Sequence, residues 1–452
     1  MRIIIAGAGE VGFHIAKLLA NESQDIVVID TDKEKLQKIE GLLDVMTYRG
    51  DAASFQLMEE INIEEADIFI AVTQLQNTNL MASLIAKKSG AKKVVARVTN
   101  PEFLERKNTL NLQRAGIDML ISPEELAANE ITNLIEESVF NEMHSFGSGA
   151  LNLFGVFLER KSKFIDHSVR DIAQRFGDRI NFIPIFIIRS NDGETKSIIP
   201  RGDTVYREGD HVYFIALEEA RNSIYEYLGK KNEDLSDVMI LGGGRIGKKT
   251  VQILRQHKHN IKIIERDFAK AEDLADQFDD VLIIHGDGRD TDLLDEEGIS
   301  ELDAFVAVTG RSETNIMACL MAKSKGVKKT IALVENTEYL HLGQDIGIDG
   351  FINKKLMAAN SVFKHVRKGK VLDVMNIFDS PAEVLEFRVK ENSKIANKTI
   401  QEVNFPREAI IGGIIRKFQG IIPQKDFVIL PHDRVVIFSR LEAIKKVEYL
   451  FS

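Results

Sequence analysis

What this chain has least of already bounds it. One cysteine, Cys319, stands in 452 residues, so neither an intramolecular disulfide nor a thiolate metal cage can come from this chain alone, and a reducing compartment fits. Proline is scarce, at 8, while 44% of residues are hydrophobic and 28% charged, the balance of a chain that buries a core. Positive charge is not in excess: 59 Lys and Arg against 69 Asp and Glu give a formal charge of -10, which argues against sequence-independent binding to a nucleic-acid backbone. Long apolar runs are missing too. The best, Phe182 to Ile188, is strand length and well short of the ~18 uninterrupted apolar residues of a membrane span, so membrane association has to go through a partner. Glu10 and His14 interrupt the apolar stretch after Arg2 too early for an export signal, and a strand is expected to begin at once.

What is present is a duplication. Gly7-Ala8-Gly9-Glu10-Val11-Gly12 recurs as Gly242-Gly243-Gly244-Arg245-Ile246-Gly247, 235 residues on, and Asp30 recurs as Glu265 at the same spacing. Gly50-Asp51 matches Gly286-Asp287, and Ala71 to Lys93 aligns without gaps to Ala307 to Lys329 with 13 of 23 positions identical. Ala127-Ala128-Asn129 matches Ala358-Ala359-Asn360, and Pro200 to Phe214 resembles Pro423 to Phe438, so each half is expected to have two parts.

The first part of each half alternates strand and helix. Ile3 to Ala6 reads as a buried strand, and Val11, Ile15, Leu18 and Leu19 follow it at helical spacing. Strands are expected at 25–29, 45–48, 68–72, 93–98 and 119–121, with helices at 33–43, 78–89 and 123–140, which predicts an α/β Rossmann-like, doubly wound parallel sheet. Short strands then take over at 150–159, 182–189, 197–200 and 211–217, a small α+β, β-rich module. The expected organisation is residues 1–122 as a first Rossmann-like domain, 123–145 as a connecting helix and 146–229 as a first module. Residues 237–354, 355–368 and 369–452 repeat those parts, with Lys230 to Asp234 as the linker.

The glycine loop carries the chemistry. Following a strand, opening a helix and preceding a strand-end acid, it is a dinucleotide fingerprint. Gly7 permits the turn, Gly9 lets a pyrophosphate approach the backbone, Gly12 lets helix and strand pack, and the helix N-terminus faces the phosphates. Asp30 is placed for ribose hydroxyls, and its charge repels a 2′-phosphate, favouring NAD(H) or an adenine nucleotide such as ATP or ADP over NADP(H). Asp51, followed by Ala52, and Asp287 either reach the adenosine end or cap the next helix. Thr73 with Gln74, and Thr309, end the fourth strands, where ligands of such sheets sit; Asn79 and Asn315 are either site lining or helix-start polar residues. The second half keeps three glycines and Glu265, but Arg245 replaces Glu10 and Leu333 stands where the first half has Arg97, so the fuller phosphate-binding set is in the first half. His257-Lys258-His259 lacks a neighbouring acid or thiol cluster and reads as surface, and Cys319 lies on an apolar helix stripe as a structural thiol.

With the glycine loop, Asp30, the Ala71-Val72-Thr73 strand end, Thr78-Asn79, Arg97 and a β-rich module in one order, each half resembles an RCK or KTN domain, and the tandem is similar to the TrkA family over essentially the whole sequence. That resemblance implies a non-enzymatic, ring-forming subunit, peripheral on the cytoplasmic face of the bacterial inner membrane, that regulates a TrkH-like potassium channel or transporter and binds NAD(H) and ATP or ADP. It puts Gly7 to Gly12, Asp30, Asp51, Thr73 and Arg97 on the family's nucleotide-contacting positions, and marks Thr99 as a departure where relatives carry a second basic residue. The rival reading is an NAD-dependent oxidoreductase, which needs an acid or base on a substrate domain; the modules are small for that, and His167 and His211 have no counterparts in the second half.

Overall fold

The computed structural model describes residues 1–20, 24–104, 112–177, 180–191, 194–231, 234–336, 339, 346–367, 371–377, 380 and 382–452. Linker residues 232 and 233 and connecting-helix residue 368 lie outside the described residues.

The first sheet is built of β1 (Arg2–Ala6), β2 (Asp25–Asp30), β3 (Met46–Arg49), β4 (Ile68–Ala71), β5 (Lys93–Arg97) and β6 (Met119–Ile121), in the order β3-β2-β1-β4-β5-β6 and parallel throughout. Ile4 lies between Val27 and Phe69, and Ile3, Ile4 and Ile5 are completely buried. A strand covered by helices on both faces has no water side, which is why its sequence is an unbroken apolar run. The helices are α1 (Glu10–Ala20), α2 (Lys33–Glu40), α3 (Phe55–Glu60), α4 (Gln76–Lys88) and α5 (Pro123–Glu136). Asp32 caps α2 by accepting from the Glu34 and Lys35 amides, and Ser54 caps α3 by accepting from Leu57.

Helix α5 stops at Glu136, short of the expected Phe140, and residues 142–146, expected within the connecting segment, form strand β7 (Glu142–Phe146). β7 pairs with β8 (Leu151–Phe157), and α6 (Val169–Phe176), β9 (Phe182–Asn191), β10 (Glu194–Ile198), β11 (His211–Ala216) and α7 (Ala220–Leu228) follow; the sheet order is β10-β9-β11-β8-β7, antiparallel.

The second half repeats the order. β12 (Asp237–Leu241), β13 (Asn260–Glu265), β14 (Leu282–His285), β15 (Ala304–Ala307), β16 (Lys329–Leu333) and β17 (Gly350–Ile352) form the parallel sheet β14-β13-β12-β15-β16-β17. Around it are α8 (Arg245–Leu254), α9 (Phe268–Gln277), α10 (Thr291–Glu296), α11 (Ser312–Ser324) and the connecting helix α12 (Lys354–Arg367). β18 (Asp373–Asn376), β19 (Ala382–Arg388), β21 (Ala409–Arg416), β22 (Gln419–Ile421) and β24 (Arg434–Arg440) make the second antiparallel sheet, β20 (Lys398–Thr399) pairs with β23 (Val428–Ile429), and α13 (Ile444–Phe451) ends the chain.

Compactness sorts these parts by kind and not by half. One unit takes Met1–Thr132 and Asp237–Val366, the two parallel-sheet domains; the other takes Asn133–Ser236 and Arg367–Ser452, the two modules. Within the module unit the sheets meet through glycine: a Cβ on Gly413 would lie 2.5 Å from Leu151, and one on Gly420 2.0 Å from the Ala150 carbonyl oxygen. Phe186 stacks on Phe438 with ring centres 4.6 Å apart, joining both modules into one core with Leu153, Val384 and Val436. Each module also holds a buried bidentate ion pair, Arg189 with Asp210 (2.6 and 2.7 Å) and Arg416 with Asp433 (2.8 and 2.7 Å). A cleft of about 660 Å³ between the modules is lined by Pro184, Arg201, Arg407, Ile410 and Lys425.

Candidate nucleotide-binding site

The two glycine loops have the same geometry. Gly7 and Gly242 sit at φ +115° and +111°, a region open to glycine, and each is pressed against the end of the fourth strand: an added Cβ would lie 2.9 Å from the Thr73 nitrogen or 3.2 Å from that of Thr309. A Cβ on Gly12 would meet the Gly7 carbonyl oxygen at 1.8 Å, and one on Gly247 the Gly242 oxygen at 2.0 Å, so the third glycine is forced by backbone contact. Gly9 and Gly244 differ in kind. Nothing stands within 4 Å of a Cβ at either position, leaving open space before the first turns of α1 and α8. Gly244 is the N-cap of α8 and supplies no side-chain acceptor, so the helix end is left for an external anion. Val11 and Ile246 are buried and can offer only backbone amides there. Gly243 replaces Ala8 for a local reason: a Cβ there would lie 2.3 Å from Leu274 Cδ1.

The strand-end acids brace the loops. Asp30 accepts from the Ala8 amide (2.6 Å) and the Asp32 amide (2.9 Å), and Glu265 accepts from Gly243 (2.8 Å) and Asp267 (2.9 Å). Each carboxylate oxygen has a second lone pair for a ribose hydroxyl. The acid therefore orders the loop before any ligand arrives.

Asp51 and Asp287 are not the helix caps that one sequence reading allowed; Ser54 caps α3 and Asp290 caps α10. Asp51 accepts from the Ala53 amide at 2.9 Å. Asp287 accepts from the Arg289 amide and guanidinium (3.1, 3.0 and 2.6 Å), and the Arg289 hydrogen bond holds its carboxyl down at about 2. Arg289 corresponds to Ala53 in the first half, so the second-half acid is neutralised from within. Ala52 is buried in the core, so its side chain is packed against the sheet domain's interior.

At the fourth strand, Asn79 is the brace and Thr73 its partner. Asn79 accepts from the Thr73 amide (2.9 Å) and hydroxyl (2.6 Å) and donates to the carbonyls of Thr73 (3.1 Å) and Arg97 (3.0 Å). Asn315 does the same with Thr309 and Leu333. Both asparagines are buried with their amide groups satisfied, so they clamp two strand ends and do not line the site. Gln74 is exposed beside Thr73.

Arg97 is a partly buried cation whose Nε has no hydrogen-bond partner; its Nη2 is 3.9 Å from Glu124, itself buried with a free Oε2. Burial lowers the Arg97 pKa, Glu124 opposes that, and Arg245 of the second half adds to it. Arg97 is thus underneutralised, a condition an added phosphate oxygen relieves. Thr99 is tied instead to Gln76, whose Oε1 accepts from the Thr99 amide and hydroxyl and the Asn100 amide (3.1, 3.0 and 3.0 Å). Sequence reading missed Gln76 and Glu124, whose type carries no signal until the strand ends are brought together.

His211, a candidate acid or base in the oxidoreductase reading, is buried in the module sheet, stacked on Phe157 and driven down to about 3 by burial; it faces no site. Cys319 is buried, donates to the Ile331 carbonyl at 3.3 Å, and burial pushes its thiol well up. Among the described residues no group of three His, Cys, Asp or Glu side chains gathers to hold a metal, and no helix is long and apolar enough to cross a membrane.

Comparison with known proteins follows this division. The TrkA-N domain family model matches residues 3–123 and 238–354, and the TrkA-C domain model matches 153–229 and 384–452. The chain is 32% identical over 452 residues to a Trk system potassium uptake protein TrkA homolog of Archaeoglobus fulgidus, covering all of both chains. It is 32% identical over 458 residues to Trk system potassium uptake protein TrkA of Halomonas elongata, covering all of this chain and 98% of that one. Among solved structures it is similar to the GsuK channel bound to NAD, with TM-score 0.61 and 16% identity over all of this chain and 78% of that one.

Proposed function

The chain belongs to the TrkA family, and from that premise we propose that it is the nucleotide-sensing regulatory subunit of a potassium uptake system. The observation that carries this reading is a pair of preformed glycine loops, each braced by a strand-end acid that accepts from the loop amide. The first half, with Gly9 open, Asp30 braced, Asp51 free of an arginine and Arg97 underneutralised, is the principal sensor for NAD(H) or an adenine nucleotide. In the second half Leu333 replaces the cation and Arg289 occupies the acid. The partner is an integral-membrane potassium channel or transporter subunit of TrkH type. The chain assembles as a ring on its cytoplasmic face, without inserting into the bilayer.

Regulation follows from differential affinity: a nucleotide shifts the arrangement of the ring only by binding one arrangement more tightly, and ~1–3 kcal/mol is the usual scale of such coupling. The test is potassium flux through the membrane partner reconstituted with this chain, in the nucleotide-free state and with saturating NADH or ATP. Equal flux in all three conditions overturns the regulatory reading. Turnover of NADH with small reducible substrates, or of NAD+ with oxidisable ones, would restore the oxidoreductase one.

A further inference from the structure

Where the two parallel-sheet domains meet, the duplicated surface has exchanged the sign of its charges. The first residues of α1 and α8 are equivalent, yet one is Glu10 and the other Arg245. The first turn of α5 carries Glu124 and Glu125, whereas that of α12 carries Lys354 and Lys355. In the structure the loop helix of each half meets the connecting helix of the other. Lys355 Nζ lies 2.5 Å from Glu10 Oε2, and Lys249, in the second turn of α8, lies 2.7 Å from Glu125 Oε1.

We propose that this exchange is a pairing code: the contact surface of the first half accepts the second half and rejects another first half. A duplicated surface that meets itself makes each contact twice, with position i facing j and j facing i. Glu124 holds the place of Lys355, so two first halves joined in this way would set Glu10 beside Glu124 at both contacts, and two second halves would set Arg245 beside Lys355. The unlike pair alone is complementary at both. Charges within each half soften this without reversing it: Glu335 takes Lys355 at 3.1 Å and Lys354 at 3.4 Å, and Arg97 stands 3.9 Å from Glu124.

Attraction is the smaller part of the effect, because the Glu10 side chain is 60% exposed and such pairs add little affinity. Rejection of the like pair is the larger part, since juxtaposed like charges select partners more strongly than paired ones bind. The inference does not depend on which nucleotide is bound, or whether any is.

The test uses the full chain. The variant Lys249→Glu/Lys355→Glu makes both faces of the contact acidic, and Glu10→Lys/Glu125→Lys makes both basic. Each is expected to melt several degrees below the wild type at low salt and to recover as salt shortens the reach of the charges. The fourfold exchange, which restores opposite signs, is expected to melt near the wild type at all salt concentrations. Doubles that melt like the wild type, or a fourfold exchange no better than either double, overturn the code. A second measurement reads partner choice directly. When the two double variants are unfolded and refolded together, native mass spectrometry should show mixed complexes in excess of the statistical share, since the basic first half of one fits the acidic second half of the other. A statistical mixture overturns the proposal even if the melting shifts appear.

Discussion

Replacing Asp30 by asparagine separates the two duties of that carboxylate. In the unliganded chain its oxygens accept from the Ala8 and Asp32 amides at 2.6 and 2.9 Å, both charge-assisted. An asparagine keeps one oxygen and turns an NH2 toward the other amide, so one bond is lost and a donor is left facing a donor. A hydrogen bond to a charged group is worth about 1.5–3 kcal/mol, and the site is half-buried, so Asp30→Asn should destabilise the first domain by about 1–3 kcal/mol. Binding loses a second, separate quantity. One ribose hydroxyl loses a charged acceptor, another ~1.5–3 kcal/mol, or about 10- to 150-fold in NADH affinity. The 2′-phosphate of NADPH, by contrast, escapes a repulsive carboxylate, so its affinity should fall much less or rise. Calorimetry with both cofactors on wild type and Asp30→Asn, beside a melting curve, measures all three. Equal weakening of NADH and NADPH would mean that Asp30 only braces the loop, and the ribose assignment would be refuted. The same substitution in the other half, Glu265→Gln, should cost similar stability, because its two amide bonds are the same (2.8 and 2.9 Å), with a smaller effect on total nucleotide bound.

Gly9→Ala should leave the melting midpoint within about 0.5 kcal/mol of wild type, since nothing stands near its Cβ, yet weaken nucleotide binding at least about tenfold by filling the phosphate approach. Gly12→Ala, whose Cβ would lie 1.8 Å from a backbone oxygen, should instead unfold the first domain or lower its midpoint severely, as circular dichroism would show. Cys319 should resist thiol reagents until the chain unfolds, and Cys319→Ser should cost no more than about 2 kcal/mol, because Ser83 holds the equivalent place and donates to the Val95 carbonyl; rapid labelling of native protein would contradict its burial. His211 is held neutral by burial, with its folded pKa near 3 against an ordinary 6.5, so stability is full above pH 6.5 and is lost as pH falls through that window while the unfolded chain takes up the proton. Between pH 6 and 4 the wild type should therefore lose up to about 1.4 kcal/mol per pH unit more than His211→Phe, measured by denaturant unfolding; parallel pH profiles would contradict it.

How much was legible beforehand depends on how local the cause was. The parallel sheets, the glycine loops and the strand-end acids were readable because each rests on a short-range rule: unbroken apolar runs for doubly covered strands, glycine where an added Cβ would collide with a backbone oxygen, an acid at a fixed spacing. The duplication made each inference twice and so firmer. Two points were decided only by the local path of the backbone. Asp51 and Asp287 allowed a capping role by residue type, but the caps are Ser54 and Asp290, three residues further on, because the turn bonds of Asp51 and Asp287 close before the helices start. Helix α5 ends at Glu136 and the chain after it turns into the β7–β8 hairpin, whose register runs from Glu142–Gly155 to Phe146–Leu151 and which helical periodicity does not report.

By itself, then, the sequence determined what kinds of part this protein has and that it has each of them twice, since periodicity, glycine and an internal repeat are written along the chain. Only the tertiary structure decided which part stands with which. The parallel-sheet domains of both halves belong to one unit and the modules of both halves to another, and the buried pairs Arg189–Asp210 and Arg416–Asp433 and the brace of Asn79 appear only once distant strands are brought side by side. The physical reason is range: backbone preference acts over a few residues, whereas burial and charge act on whatever folding makes adjacent, and that is why Glu10 has a meaning only opposite Lys355.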